Sequence, residues 1–282
     1  MKNKSNIFLI VGILIVTVII AVVCYGNIKT RKNPVATIEV VYKDADGNEK
    51  TGTVKMELYS DQAPETVANF ITLANNGYYN GLKFHRIAED FVVQGGDKNG
   101  DGSGSANVSD LNKSIQAGSK DDYKYSIKGE FAANGINNTL KFGKGIVGMA
   151  RSDYSSYGLN EEGYNSGSSQ FFITTTDDSS KLKSLNQNYA SFGKVIEGYE
   201  YIEEIAKVYA GKEASKSTNT EGENATEEDF PVMKNVSVDT FGGNYGLPTT
   251  INYETILNKV SQYQNYFNQL QSGSGAGVTT AE

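Results

Sequence analysis

The chain has 282 residues, enough for one large domain or two small ones, and its 38% hydrophobic and 21% charged content is what a packed core requires. A net charge of -7, from 26 Lys and Arg against 33 Asp and Glu, excludes a general nucleic-acid binder, which carries a basic face. With 1 Cys and 1 His, an intrachain disulfide, a cysteine metal cluster and a multi-histidine zinc site are excluded, and His85 is the sole candidate for histidine chemistry.

In chain order, residues 1–6 are a short tail, and residues 7–25 (Ile7 to Tyr25) run about 19 residues without a charge. That is close to the ~20 a helix needs to cross a bilayer and longer than the core of a cleaved signal peptide. A single-pass anchor in the cell membrane is therefore expected, with the membrane as a partner. Lys2 and Lys4 precede the run and Lys29, Arg31 and Lys32 follow it, so charge leaves its orientation ambiguous. The short tail favours an extracytoplasmic soluble part. Cys24 admits two readings, lipidation or an apolar cysteine ending the span; Val23 stands where a lipoprotein wants a small residue.

A polar linker, residues 26–33, leads into a domain expected over 34–241. Ala36 to Tyr42 and Thr53 to Tyr59 alternate polar and apolar residues around the turn signal Asp44-Ala-Asp-Gly47, which predicts an antiparallel hairpin. Pro64 and Glu65 open a helix whose apolar positions are Val67, Phe70, Ile71 and Ala74 and which Gly77 stops. A second helix is predicted from Tyr199 to Tyr209. Short apolar runs between the two helices indicate a mostly β domain. Polar stretches at about 97–125, 153–168 and 211–229 read as long loops, the last as disordered. Pro231 to Asp239 is a final strand. The extension 242–282 carries a possible amphipathic helix over 252–271, with Leu257, Val260, Tyr263, Phe267 and Leu270 on one side, and then a flexible tail. Asp97 to Gly102 resembles the start of a calcium loop, but Val108 occupies its twelfth position where a glutamate is required, so no metal is expected.

The chemistry lies in an ordered series of runs: Phe84-His85-Arg86-Ile87, Phe91, Gln94-Gly95-Gly96-Asp97, Gly145 to Arg151, Ser168-Ser-Gln-Phe-Phe-Ile173, and Phe192-Gly193-Lys194-Val195. Singly each is weak: an arginine in a strand is usually solvated, and Phe91 and Phe172 would ordinarily be core. In this order and at these spacings the series closely resembles the cyclophilin family, over roughly Asn33 to Phe241. Ala63 to Phe70 and Gly77-Tyr78-Tyr79 resemble that family's first helix and the turn after it.

The resemblance implies a closed antiparallel eight-stranded β-barrel capped by two α-helices, and peptidyl-prolyl cis–trans isomerase activity on proline-containing polypeptides. It implies catalytic roles for Arg86, His85, Gln94 and Phe91. Phe91, Met149, Phe172 and Leu185 would form the apolar proline pocket, with His85 at its border, and Gln94 would orient Arg86 and the substrate carbonyl. Val92, Ala150, Arg151, Gln170 and Tyr189 would complete the substrate groove. Amide resonance sets a barrier of ~18–20 kcal/mol to rotation, so the enzyme must favour the twisted bond over both planar forms. In that state the prolyl nitrogen regains a lone pair, which the permanently charged fork of Arg86 can meet with a hydrogen bond. No bond breaks, and no metal or organic cofactor is needed.

The chain also departs from the family. Ser184 stands where many members have a tryptophan that contributes to cyclosporin binding, so cyclosporin should bind weakly. Tyr189 replaces a pocket histidine common in eukaryotic members. Arg151 replaces a frequent asparagine, as in bacterial members, and favours a bacterial source. Asp153 to Ser166 is longer than usual at the groove rim and is expected to change which peptides enter. The alternative to an isomerase for exported proteins is a membrane-tethered, non-catalytic module that binds proline-containing peptides or acts as a chaperone.

Overall fold

A computed structural model describes residues 12–20, 32–211 and 230–273. Of the expected anchor, residues 12–20 are helical and the remainder, with Cys24, lies outside the described residues, as do most of the 211–229 loop and the terminal tail. No helix among the described residues is long and apolar enough to cross a membrane.

The chain begins as the expected hairpin. Strands β1 (Val35–Lys43) and β2 (Glu49–Leu58) pair antiparallel from Val35↔Glu57 to Lys43↔Glu49. Their turn is fixed by Asp44, whose Oδ1 accepts from the backbone N–H groups of Asp46 and Asn48 at 3.0 and 2.9 Å, and by Gly47 at φ 82°. Helix α1 (Pro64–Asn75) follows, with Pro in its first turn and the predicted apolar face buried. Its N-cap, Ala63, has no side chain to accept the first N–H groups. The buried carboxylate of Glu130 substitutes from 65 residues along the chain, accepting from Glu65 N at 3.0 Å and Thr66 N at 2.8 Å.

The strands that follow are β3 (Leu82–Lys83), β4 (Arg86–Ala88), β5 (Val92–Gly95), β6 (Tyr125–Ile127), β7 (Ile146–Met149), β8 (Phe171–Thr174), β9 (Ser191–Glu197), β10 (Val232–Asp239) and β11 (Thr250–Asn252). Between them lie helices α2 (Val108–Leu111), α3 (Asn160–Tyr164), α4 (Ser179–Leu182), α5 (Leu185–Asn188) and α6 (Tyr199–Val208), and α7 (Tyr253–Gly273) ends the described chain. Nine strands form one antiparallel sheet in the order β3-β10-β1-β2-β9-β7-β8-β5-β4.

The expectation of a closed eight-stranded barrel is thus corrected: the sheet is a curled half-barrel whose hydrogen-bonded ladder does not close. The reason is local. Its two edges, β3 and β4, are halves of one chain run interrupted at Phe84 and His85, which are both buried (0% and 3% exposed). Leu82 and Lys83 pair with β10 and Arg86 to Ala88 with β5, so the interruption leaves the two edges on different partners.

The concave side packs on α1 and α6, which supply Val67, Phe70, Ile202 and Ile205 to the core. Phe70 stacks on Tyr79 at 5.0 Å and meets Phe171 edge-on at 5.3 Å. The predicted loops carry structure of their own: α2 interrupts 97–125, and a 3-10 turn (Ser155–Tyr157) with α3 fills 153–168. Strand β11 pairs with β6, outside the main sheet, and leads into α7. Ile256 and Val260 bury against Leu159, whereas Tyr263, Phe267 and Leu270 stay exposed, so only the first turns of the predicted amphipathic face are covered.

Candidate active site

Strand alternation divides the apolar residues between the inner core and a second cluster on the outer face. On β8, Phe171 and Ile173 face the inner core while Phe172 faces out; on β5, Val93 faces in and Val92 out. Val92, Phe172, Phe142, Ile146, Leu182 and Leu185 make the outer cluster, with Phe91, Ala150 and Tyr189 packed on it. Phe172 stacks on Phe142 at 5.6 Å and meets Tyr189 edge-on at 5.7 Å. Gly148 beneath them permits this approach: a Cβ there would lie 2.5 Å from Phe172 Cζ.

Register places the polar groups beside this floor. Arg86 lies opposite Gln94 across β4 and β5, and Gln94 opposite Phe172 across β5 and β8, so the three project from neighbouring strands. Arg86 Nη1 donates to Gln94 Oε1 at 3.3 Å, and Gln94 Nε2 donates to Gln170 Oε1 at 3.0 Å. Gln170 Nε2 in turn donates to the carbonyls of Gly102 (2.9 Å) and Gly104 (2.8 Å). Both hydrogens of Gln170 are committed, which fixes its amide and hence that of Gln94, whose second hydrogen is left to donate. Phe91 is presented by the turn after β4, where Asp90 adopts φ 45° and is tied to Lys181 Nζ at 2.6 Å.

The resulting groove, about 510 Å³, is lined by nine of the predicted residues: Arg86, Phe91, Val92, Gln94, Ala150, Arg151, Phe172, Leu185 and Tyr189. Three others lie elsewhere. Met149 is a correction: two positions after Val147 on β7, it shares that residue's inward face and is core, 4% exposed, while Val92 takes the apolar place in the groove. His85 is not among the groove's lining residues and is buried at the break between β3 and β4. Burial holds its pKa below the ordinary value against the charge of Asp97, and neither ring nitrogen finds a hydrogen-bond partner. Gln170 lines an adjoining cavity and reaches the groove through Gln94.

Sequence reasoning missed several lining residues. Asp153, Ser155, Asn160 and Tyr164 line the groove from the long 153–166 segment, for which an unusual length was the only signal. Arg151 Nε donates to Asn188 O and Nη1 to Ser152 O, both at 2.8 Å, and its guanidinium lies 4.7, 5.1 and 5.7 Å from the ring centres of Tyr189, Tyr164 and Phe131. Chemically, an apolar bed wide enough for a small ring lies beside a charged donor and an oriented amide. Among the described residues no cluster of metal-ligating side chains occurs.

Comparison with known proteins agrees with this geometry. Residues 44–230 match the family model "Cyclophilin type peptidyl-prolyl cis-trans isomerase/CLD". Peptidyl-prolyl cis-trans isomerase CYP18-1 of Arabidopsis thaliana is 34% identical over 161 residues, 57% of this chain and 80% of that protein. Human peptidyl-prolyl cis-trans isomerase-like 1 is 34% identical over 158 residues, 56% of this chain and 75% of that one. A solved Cryptosporidium parvum cyclophilin type peptidyl-prolyl cis-trans isomerase aligns over 72% of this chain and 98% of that chain, with a TM-score of 0.46 and 24% identity. The chain belongs to the cyclophilin-type peptidyl-prolyl cis–trans isomerases, enzymes that rotate Xaa-Pro peptide bonds.

Proposed function

We propose that this isomerase acts on exported polypeptides from a membrane tether, with Arg86 as the group that meets the twisted prolyl amide. The observation that carries the catalytic assignment is Arg86 held against Gln94 at the edge of the Phe91, Val92, Phe172 and Leu185 floor. Proline packs on that floor, and the free hydrogen of Gln94 Nε2 donates to the preceding carbonyl. As the bond twists, conjugation is lost and the prolyl nitrogen accepts from the guanidinium, an interaction absent in both planar forms and so felt only at the barrier. A ~10⁵-fold acceleration needs about 7 kcal/mol, more than one charged hydrogen bond supplies. The apolar bed and the carbonyl anchor contribute the rest by positioning.

The test is exchange NMR on a proline-containing peptide, comparing the protein with its Arg86→Ala variant. A folded variant should lose about 10²–10³-fold in kcat/KM, the cost typical of removing one transition-state donor. Activity within threefold of the parent would remove Arg86 from this role. Binding without turnover in the parent would leave the non-catalytic peptide-binding reading.

The tether rests on the charge-free run Ile7 to Tyr25, within which Ile13, Leu14, Ile15 and Val16 are each more than half exposed. The short tail ahead of it favours a domain on the outer side. The bacterial source rests on Arg151, since the relatives named above are eukaryotic. Ser184 at the groove edge supplies less apolar surface than tryptophan would, so cyclosporin should inhibit weakly. Nanomolar inhibition in the same assay would contradict this.

A further inference from the structure

The family match ends at residue 230, and the extension beyond it packs on the segment that gives the groove Asp153, Ser155, Asn160 and Tyr164. Leu159, in the middle of that segment, is buried with Ile256 and Val260 of α7. Tyr154, Tyr157, Ile251 and Tyr253 cover them in part. Every member of this cluster comes from the rim segment or from the extension, and none from the main core. Polar contacts follow the same seam. Tyr253 Oη lies 3.2 Å from Ser152 Oγ and 2.9 Å from Tyr154 Oη. Lys259 Nζ donates to Glu162 Oε1 at 2.8 Å, and Gln264 Nε2 to Tyr157 Oη at 3.2 Å.

The two partners differ in how firmly they are held. Strand β11 pairs with β6 from Thr250↔Ile127 to Asn252↔Tyr125, and the Tyr253 N–H donates to Lys124 O at 2.9 Å. Tyr125 and Ile127 are buried in the main core, so α7 starts from a fixed base. Tyr253, its first residue, also lines a second cavity that adjoins the groove. The rim has less of its own. Helix α3 has 5 residues, and its N-cap Leu159 offers no side-chain acceptor. A helix so short does not persist in water without packing.

We propose that the C-terminal extension braces the groove, holding residues 154–164 where they grip the substrate, so that Ile256, Val260 and Lys259 are positioning residues of the isomerase. The inference rests on the isomerase reading of the groove. Without the brace, Leu159 and the rings of Tyr154 and Tyr157 meet water, and the wall forms in only a fraction of the molecules. Substrate affinity falls by that fraction. Arg86 and Gln94 stand on paired strands away from the seam and keep their geometry once substrate is bound. The signature is therefore a raised KM with kcat retained.

The test compares full-length protein with its Ile256→Ser, Val260→Ser double variant. Hydrogen exchange reads the wall, and exchange NMR on a proline-containing peptide at several concentrations reads kcat and KM. Amides of residues 154–164 should exchange about tenfold faster while the main sheet stays protected, and KM should rise about tenfold with kcat within about twofold. The exposed ion pair gives a second route that does not endanger folding. Lys259→Glu and Glu162→Lys should each raise KM about threefold, and the two together should restore it. A merely structural role would lower thermal midpoints without that restoration. Unchanged protection of the rim overturns the proposal, as does a loosened rim with parent-like KM, or a fall in kcat alone. If the double variant does not fold, failure of the charge swap to move KM and restore it overturns the proposal. Absence of turnover in the parent fails the isomerase reading itself.

Discussion

His85 is the chain's only histidine, and its position makes it a reporter of the fold. It is 3% exposed with no partner on either ring nitrogen, and burial outweighs the opposing charge of Asp97 to lower its pKa. The unfolded chain titrates at about 6.5. Stability from the buried neutral ring is therefore complete above that pH and declines as pH falls from it toward the depressed folded value, where only the unfolded chain takes up the proton. Glu130 acts with the opposite sign: burial raises its pKa, so what it contributes is present at low pH and lost as pH rises through the folded value. Urea unfolding at pH 7.5 and 5.5 should show the parent losing stability at the lower pH and His85→Gln losing less. Equal losses in the two proteins would mean the ring is not held neutral and buried. The sequence located this histidine within a site motif, but its burial is decided by the tertiary structure.

At the scale of elements, β5, β7 and β8 each serve two faces, and that is how the core and the groove can share a single sheet. Phe171 belongs to the core and Phe172 to the groove; Met149 and Val92 are sorted by the same alternation. The weak point of the design is Gly148, where the groove floor rests on backbone. A Cβ there would come within 2.5 Å of Phe172 Cζ and 2.7 Å of Phe142 Cε1. Gly148→Ala should cost about 1–3 kcal/mol by overpacking. It should also lower kcat/KM about 10–100-fold by displacing the floor ring from the proline. Denaturant unfolding and the exchange assay on the same sample check both figures. Parent-like activity would show that the ring moves without penalty or does not carry the proline.

For the whole molecule, the proposed tether would decide where the enzyme works. Full-length protein should sediment with membranes, resist a high-salt wash and be released by detergent. Ile13→Lys with Val16→Lys should move it to the soluble fraction, since a charge at a span's centre costs about 2.5–3.5 kcal/mol. Release of the parent by salt alone would mean that its apolar run is not inserted.

The sequence by itself determined the hairpin, the two principal helices, the final strand and the series of motifs around Arg86 and Phe172, because periodicity, turn chemistry and short spacings are local properties. It also named most of the groove, since those residues sit on adjacent strands within short runs. Only the tertiary structure decided the face each residue takes and which distant segments meet. Met149 was placed in the pocket because spacing alone does not tell an inward residue from an outward one on a strand buried on both sides. The break at Phe84 and His85, the use of Glu130 as a cap for a helix 65 residues away, and Tyr253 at the second cavity all depend on contacts between segments far apart in the chain. Such contacts are fixed by how the sheet curls and where its edges fall, and no window of sequence contains that.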